Sequence, residues 1–125
     1  MSLRNPLAKA RGLGSAKDGV GHWSSQRLTA IALALLAPFF VWTVLTVGAD
    51  AASARAVIGS PFTATLLIAF VVALFWHAQL GLQVVIEDYV HHRALEITLQ
   101  VLVRFACVLG AIAAVLSIGR LVFTA

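Results

Sequence analysis

The chain contains few charged residues and a single cysteine, and each scarcity excludes a class of protein. Lys, Arg, Asp and Glu make up 11% of its 125 residues, whereas apolar residues make up 61%. This balance is too apolar for an ordinary soluble domain of that length. Cys107 cannot form an intrachain disulfide, and an iron–sulfur cluster takes about four cysteine ligands. We interpret Cys107 as a small buried apolar residue.

Long runs with almost no charge dominate the sequence, and none alternates polar and apolar residues as a strand does. Each run reaches the roughly 20 residues that a helix needs to cross a bilayer. The predicted spans cover about residues 27–48, 61–86 and 97–123. We therefore expect an all-α membrane protein with three transmembrane helices, forming one domain from 23 to 125. Residues 1–22, with four glycines among basic and small residues, predict an N-terminal arm.

The helix boundaries are predicted from local signals. Ser24 or Ser25 is a candidate N-cap for the first helix, and residues 48–60 are expected to form a loop. Basic residues set the orientation: five precede the first span, whereas the first loop carries only Arg55 and the second only Arg93. The positive-inside rule then places the N-terminus and the second loop in the cytoplasm.

The net charge of +4 comes mostly from the N-terminal arm, so we interpret it as a topology signal. No surface of interleaved aromatic and basic residues predicts a nucleic-acid partner. We expect the chain to be embedded in a lipid bilayer.

His77 stands inside the second apolar run. Ten residues separate it from Glu87, about 15 Å of helix, in a hydrocarbon core about 30 Å thick. The ring therefore lies near the midplane, where an ionisable residue is a functional candidate. Ala73 and Gly81, one turn to either side, would leave room for a planar macrocycle. A haem ligand, a proton relay and an interhelical hydrogen bond all stay open.

The other histidines constrain the haem interpretation. His22, His91 and His92 fall at the cytoplasmic edge, and His91 is 14 residues from His77, about 21 Å along a helix. None of them reaches the opposite side of a haem at the midplane. A bis-histidine site would therefore require a second subunit.

Asp88 and Tyr89 end the second span on the cytoplasmic side. A phenol can donate to a quinone carbonyl while its ring packs on apolar matter, and a neighbouring carboxylate can help to deliver protons. The alternative is an interfacial tyrosine beside a solvated aspartate.

Other residues predict contacts between helices. Gln79 and Gln83 lie away from the His77 face and are expected to hydrogen-bond to another helix. Small residues spaced by four, three and four positions form one face of the third span, which would let another helix approach closely. They are Ala106, Gly110, Ala113 and Ser117.

Two stretches resemble a known family. "HAQLGLQVVIEDYVHH", residues 77–92, resembles the pattern His-Ala-x-x-Gly-x-x-x-Val-x-x-Asp-Tyr of the hydrophobic membrane anchor subunit of succinate dehydrogenase (complex II). "HWSSQRLTAIAL", residues 22–33, resembles that family's Arg-x-Thr-Ala-Ile at the start of helix one. After Asp-Tyr-Val this chain has His91-His92 where some relatives have Lys-Pro.

The resemblance implies roles for particular residues. His77 matches an axial ligand of haem b, with the other ligand coming from a companion cytochrome b subunit. Arg27 matches a basic residue near the haem propionates, and His22 a position close to them. Tyr89 matches the tyrosine that hydrogen-bonds ubiquinone, and Asp88 its acidic neighbour in the quinone site.

The resemblance also implies a function. The chain would pack with the cytochrome b subunit into a helical bundle that anchors a flavoprotein and an iron–sulfur subunit. FAD and the iron–sulfur clusters would belong to those partners, so this chain would be a non-catalytic subunit of an enzyme that reduces ubiquinone. The bacterial inner membrane is expected in preference to the mitochondrial one. The alternatives are a haem-free structural anchor and a small proton-coupled transporter subunit using His77 and Asp88.

Overall fold

The computed structural model describes Leu7 and residues 19–124. In this part of the chain the structure is helical, with short connections. The helices are α1 (Gly19–Val47), α2 (Ala51–Ile58), α3 (Pro61–Tyr89) and α4 (Arg93–Phe123). Helices α1, α3 and α4 are long and apolar enough to cross a membrane. The predicted all-α class with three spans is confirmed, and each of these three helices extends beyond its predicted span at one end.

Helix α1 begins earlier than predicted. It starts at Gly19, so the expectation that Ser24 or Ser25 caps it is wrong. The Ser24 hydroxyl instead donates to the Gly21 carbonyl at 3.0 Å, because a serine inside a helix can satisfy its hydroxyl on a carbonyl of the preceding turn. Apart from Leu7, residues 1–18 of the predicted arm lie outside the described residues.

The segment predicted as a loop, residues 48–60, contains helix α2. Gly48 ends α1 with a positive φ of 56°, a conformation that glycine adopts without steric cost. The Asp50 side chain then caps α2, since its Oδ2 accepts from the Ser53 N–H and the Ser53 hydroxyl, both at 2.8 Å. These bonds, and one from the Ala52 backbone, lower the pKa of Asp50 below 3.8.

Helix α3 lies between the other two long helices. It packs against α1 on one side and α4 on the other, and within residues 19–124 no Cα atom of α1 lies within 8 Å of one in α4. Among the described residues, seven of the nine that are buried belong to α3, two to α1 and none to α4. Most of the apolar surface of α1 and α4 is therefore left for lipid or for other subunits.

Each interface of α3 has an aromatic contact. Phe40 of α1 stacks on Phe70 of α3, with ring centroids 4.4 Å apart. On the other side, Gly110 of α4 faces the Phe75 ring so closely that a Cβ there would lie 2.6 Å from Cε1. Of the predicted small-residue face, Gly110 is half-buried, whereas Ala106, Ala113 and Ser117 are exposed.

Candidate functional site

His77 lies on α3 at the contact with α1, twelve residues before Tyr89, or about 18 Å along the helix. Its Nδ1 is 3.0 Å from the Thr29 hydroxyl, and its Nε2 is 3.4 Å from the Gln26 amide nitrogen. Thr29 is buried, at 7% exposure, and the imidazole is partly buried. The ring therefore bridges two helices.

A groove of about 650 Å³ lies at the N-terminal end of α1, beside the last turns of α3. It is lined by Gly19, His22, Trp23, Gln26, Gly81, Gln83, Val84 and Glu87. Gln26 connects the two parts of the site, because it lines the groove and also contacts the imidazole.

Two polar atoms at this site are buried without a hydrogen-bond partner in the described part of the chain. They are His22 Nε2 and Gln26 Oε1. Leaving such an atom unpaired costs about 1–3 kcal/mol, so the pair indicates a polar group supplied from outside the described chain. His22, predicted near the haem propionates, thus lies in the same groove as Gln26.

These residues fit a haem edge. Ala73 and Gly81 flank His77 with little bulk, and the unpaired atoms of His22 and Gln26 provide polar contacts. Within Leu7 and residues 19–124, no cluster of three or more His, Cys, Asp or Glu residues is placed to hold a metal ion.

Arg27 lies outside the groove. Its guanidinium carbon is 5.5 Å from the centroid of the Trp23 ring. Trp23 lines both the groove and a neighbouring surface depression that Arg27 shares. His22 and Gln26 therefore line the same groove, and Gln26 also contacts His77. The Trp23 ring lies between Arg27 and that groove.

Asp88 and Tyr89 are the last two residues of α3, as predicted. Both are exposed, Tyr89 at 78%, and neither lines the groove around His22 and Gln26. His91 and His92 follow in the short connection to α4 and are also exposed. The predicted quinone residues thus form a second, open location at the end of α3.

The structure shows different surroundings for the two glutamines that were predicted to hydrogen-bond to another helix. Gln83 donates to Glu87 Oε1 of its own helix at 2.8 Å, and within the described residues it makes no direct hydrogen bond to another helix. Glu87 makes the link instead, since Gln100 of α4 donates to the same oxygen at 3.4 Å. Gln79 lines a cleft of about 220 Å³ between α3 and α4, and no hydrogen bond of its side chain is found within the described residues.

Thr29, Gln26 and Glu87 were not identified from the sequence as site residues. Thr29 stands inside the "RLTAI" stretch, but its contact with His77 depends on how α1 is rotated about its axis. Nothing local to either helix sets that rotation.

The fold and the site define a class of protein: a three-span helical membrane subunit with one imidazole held between two spans. Residues 1–118 match the family of succinate dehydrogenase/fumarate reductase transmembrane subunits, and the chain belongs to that family.

Individual relatives extend the match over most of the chain. The succinate dehydrogenase hydrophobic membrane anchor subunit of Rickettsia conorii is 35% identical over 114 residues, 90% of each chain. That of Rickettsia bellii is 34% identical over 117 residues, 93% of this chain and 94% of the relative. That of Paracoccus denitrificans is 31% identical over 122 residues, 95% of each. The resemblance inferred from the two sequence stretches is confirmed.

Proposed function

We propose that this chain is the membrane anchor subunit of a succinate:ubiquinone oxidoreductase and contributes one axial ligand to haem b. The observation that carries the proposal is the joint position of His77 and the groove, which holds unpaired buried polar atoms of His22 and Gln26. The chain itself oxidises no succinate. FAD and the iron–sulfur clusters belong to partner subunits.

His77 is the residue that would hold the iron, and bound haem b supplies a one-electron redox centre. His22 lies in the groove on the propionate side, and Arg27 reaches the same region from beyond Trp23. His91 and His92 lie beyond the end of α3, too far along its axis to face His77 across a macrocycle, and His22 is assigned to the propionate side. The second ligand therefore comes from the companion cytochrome b subunit.

Tyr89 and Asp88 form part of the ubiquinone site. Their exposure at the end of α3 leaves them open to a neighbouring subunit and to a quinone headgroup. The Tyr89 hydroxyl donates to a quinone carbonyl, and the Asp88 carboxylate orients the polar groups around it. The contribution of this pair to catalysis is proton delivery to a reduced quinone oxygen.

The orientation follows from charge. The N-terminus and the connection between α3 and α4 face the cytoplasm, because the basic residues concentrate there. The iron–sulfur and flavoprotein subunits dock on that side, next to Tyr89. The relatives come from bacteria, which favours the bacterial inner membrane.

The test is a reduced-minus-oxidised absorption spectrum of the complex, purified through a tag on this chain. We expect a b-type signal together with flavin in the wild type, lost or shifted in His77→Ala. The matched control is His91→Ala, which removes an exposed histidine beyond the end of α3 and should leave the spectrum unchanged. Flavin without any b-type haem in the wild type would refute the ligand role and keep the anchor role.

One observation favours a second function for His77. Its contacts with Thr29 and Gln26 would hold α1 to α3 in a haem-free anchor. In that case His77→Ala would weaken assembly and leave the spectrum unaltered. A proton relay finds no such support, because the acidic residues of the described part of the chain lie at helix ends or between helices.

A further inference from the structure

The hydrogen bonds around His77 form a directed chain. Thr29 Oγ1 lies 2.9 Å from the Ser25 carbonyl and 3.1 Å from the Gln26 carbonyl. A carbonyl only accepts, so the single hydroxyl proton of Thr29 is donated to its own helix. The hydroxyl oxygen is then left to accept from His77 Nδ1, which is 3.0 Å away. The Nδ1 atom therefore carries the ring proton.

The other ring nitrogen agrees with this assignment. Nε2 is 3.4 Å from the Gln26 amide nitrogen, which is a donor only. If Nε2 carried the proton, two donors would face each other. An unprotonated Nε2 can instead accept a hydrogen bond from the Gln26 amide. Both contacts are satisfied by one tautomer, with the lone pair of Nε2 directed towards Gln26, a residue of the groove.

We propose that Thr29 is a positioning residue for the haem ligand: it fixes the tautomer and rotation of the His77 ring so that the Nε2 lone pair faces the iron. This rests on the proposed function. Metal-binding histidines generally donate their second ring N–H to an acceptor, which also raises ligand basicity. Here the acceptor is a buried hydroxyl anchored to α1. Gln26 stands in front of Nε2 and would have to turn aside for iron to bind there.

The experiment compares three variants of the purified complex: Thr29→Val, Thr29→Ser and Thr43→Val. Valine keeps the shape of threonine and removes the acceptor, whereas serine keeps the hydroxyl. Thr43 is the matched control, since it is a buried threonine of the same helix, 2% exposed, and donates to its own helix at 2.9 Å without a hydrogen bond to His77. The measurements are haem transfer to excess apomyoglobin, the haem midpoint potential and its electron paramagnetic resonance spectrum.

In Thr29→Val we expect haem transfer to be about 10–100-fold faster, because loss of such a contact typically lowers metal affinity by that factor. The midpoint potential of the haem in Thr29→Val should rise, because a less basic His77 imidazole stabilises ferric iron less. Thr29→Ser and Thr43→Val should resemble the wild type.

Other outcomes would overturn the proposal. If haem is present and Thr29→Val behaves like Thr43→Val, Thr29 does not position the ligand, although the ligand role stands. If Thr29→Val and Thr29→Ser change haem transfer and midpoint potential equally, loss of the hydroxyl is not the cause and the proposal is wrong. A wild type without haem would refute the ligand role of His77, on which this proposal rests.

Discussion

Gly110 is the residue whose replacement has the most direct steric consequence. A Cβ there would lie 2.6 Å from Phe75 Cε1, far inside van der Waals contact. We expect Gly110→Ala to destabilise the packing of α4 on α3 by about 1–3 kcal/mol, the usual cost of overpacking. Thermal unfolding of the purified complex measures it, and Gly119→Ala, which meets no atom within 4 Å, is the control.

A second change tests the cause. Because the clash is with one ring, Phe75→Leu combined with Gly110→Ala should recover part of the lost stability. A double variant no more stable than Gly110→Ala alone would show that Phe75 is not the obstacle.

Single residues could be proposed from the sequence where their type and depth were informative. His77 was identified because an imidazole deep in an apolar run is unusual, and Asp88 and Tyr89 because the helix had to end near them. Their roles as haem and quinone residues stay predictions. The small-residue face was a weaker signal, since small side chains permit close approach without selecting which residue meets a neighbour.

The short helix α2 shows how a single side chain defines an element. The Asp50 carboxylate accepts from the Ser53 N–H and hydroxyl, and these bonds lower its pKa below 3.8. A depressed pKa in the folded state means that the stabilisation is complete above the unfolded value of 3.8 and is lost as pH falls through the lower folded value. Amide hydrogen exchange at Ser53 should therefore accelerate in that acidic range.

The control for this prediction is Asp50→Asn. Asparagine caps helices about as well as aspartate and does not titrate, so exchange at Ser53 should lose its acidic step. Asp50→Ala should accelerate exchange at all pH values. An acidic step that persists in Asp50→Asn would assign the titration to another group.

The elements were largely predictable, and their ends were not. Length and hydropathy identify the three spans because a helix that crosses the bilayer needs about 20 consecutive apolar residues. The start of α1 at Gly19 was missed because serine tolerates a helix interior when its hydroxyl bonds backward. Helix α2 was missed although Asp50 before an alanine-rich stretch is an ordinary N-cap signal.

Within residues 19–124, α1 and α4 are linked through α3 and through the short helix α2, which contacts all three long helices, and no Cα atom of α1 lies within 8 Å of one in α4. We expect the distance between spin labels at Leu35 and Leu109 to be broadly distributed in the isolated chain and narrow in the complex, in a Cys107→Ala background. Pulsed dipolar spectroscopy measures this. Labels at Trp76 and Val108, both on the α3–α4 cleft, should give a narrow distribution in both states. A narrow Leu35–Leu109 distribution in the isolated chain would contradict the open arrangement.

The central position of α3 also has a consequence for the order of biosynthesis. Helix α1 leaves the ribosome first, carrying Gln26 and Thr29, whose side chains meet His77 only once α3 is made. Until then, these two side chains lack their partner on α3 and face the translocon or lipid. Helix α1 should therefore remain near the insertion machinery until α3 has been inserted. Pairing of α1 with α3 then fixes the His77 imidazole before α4 has been made.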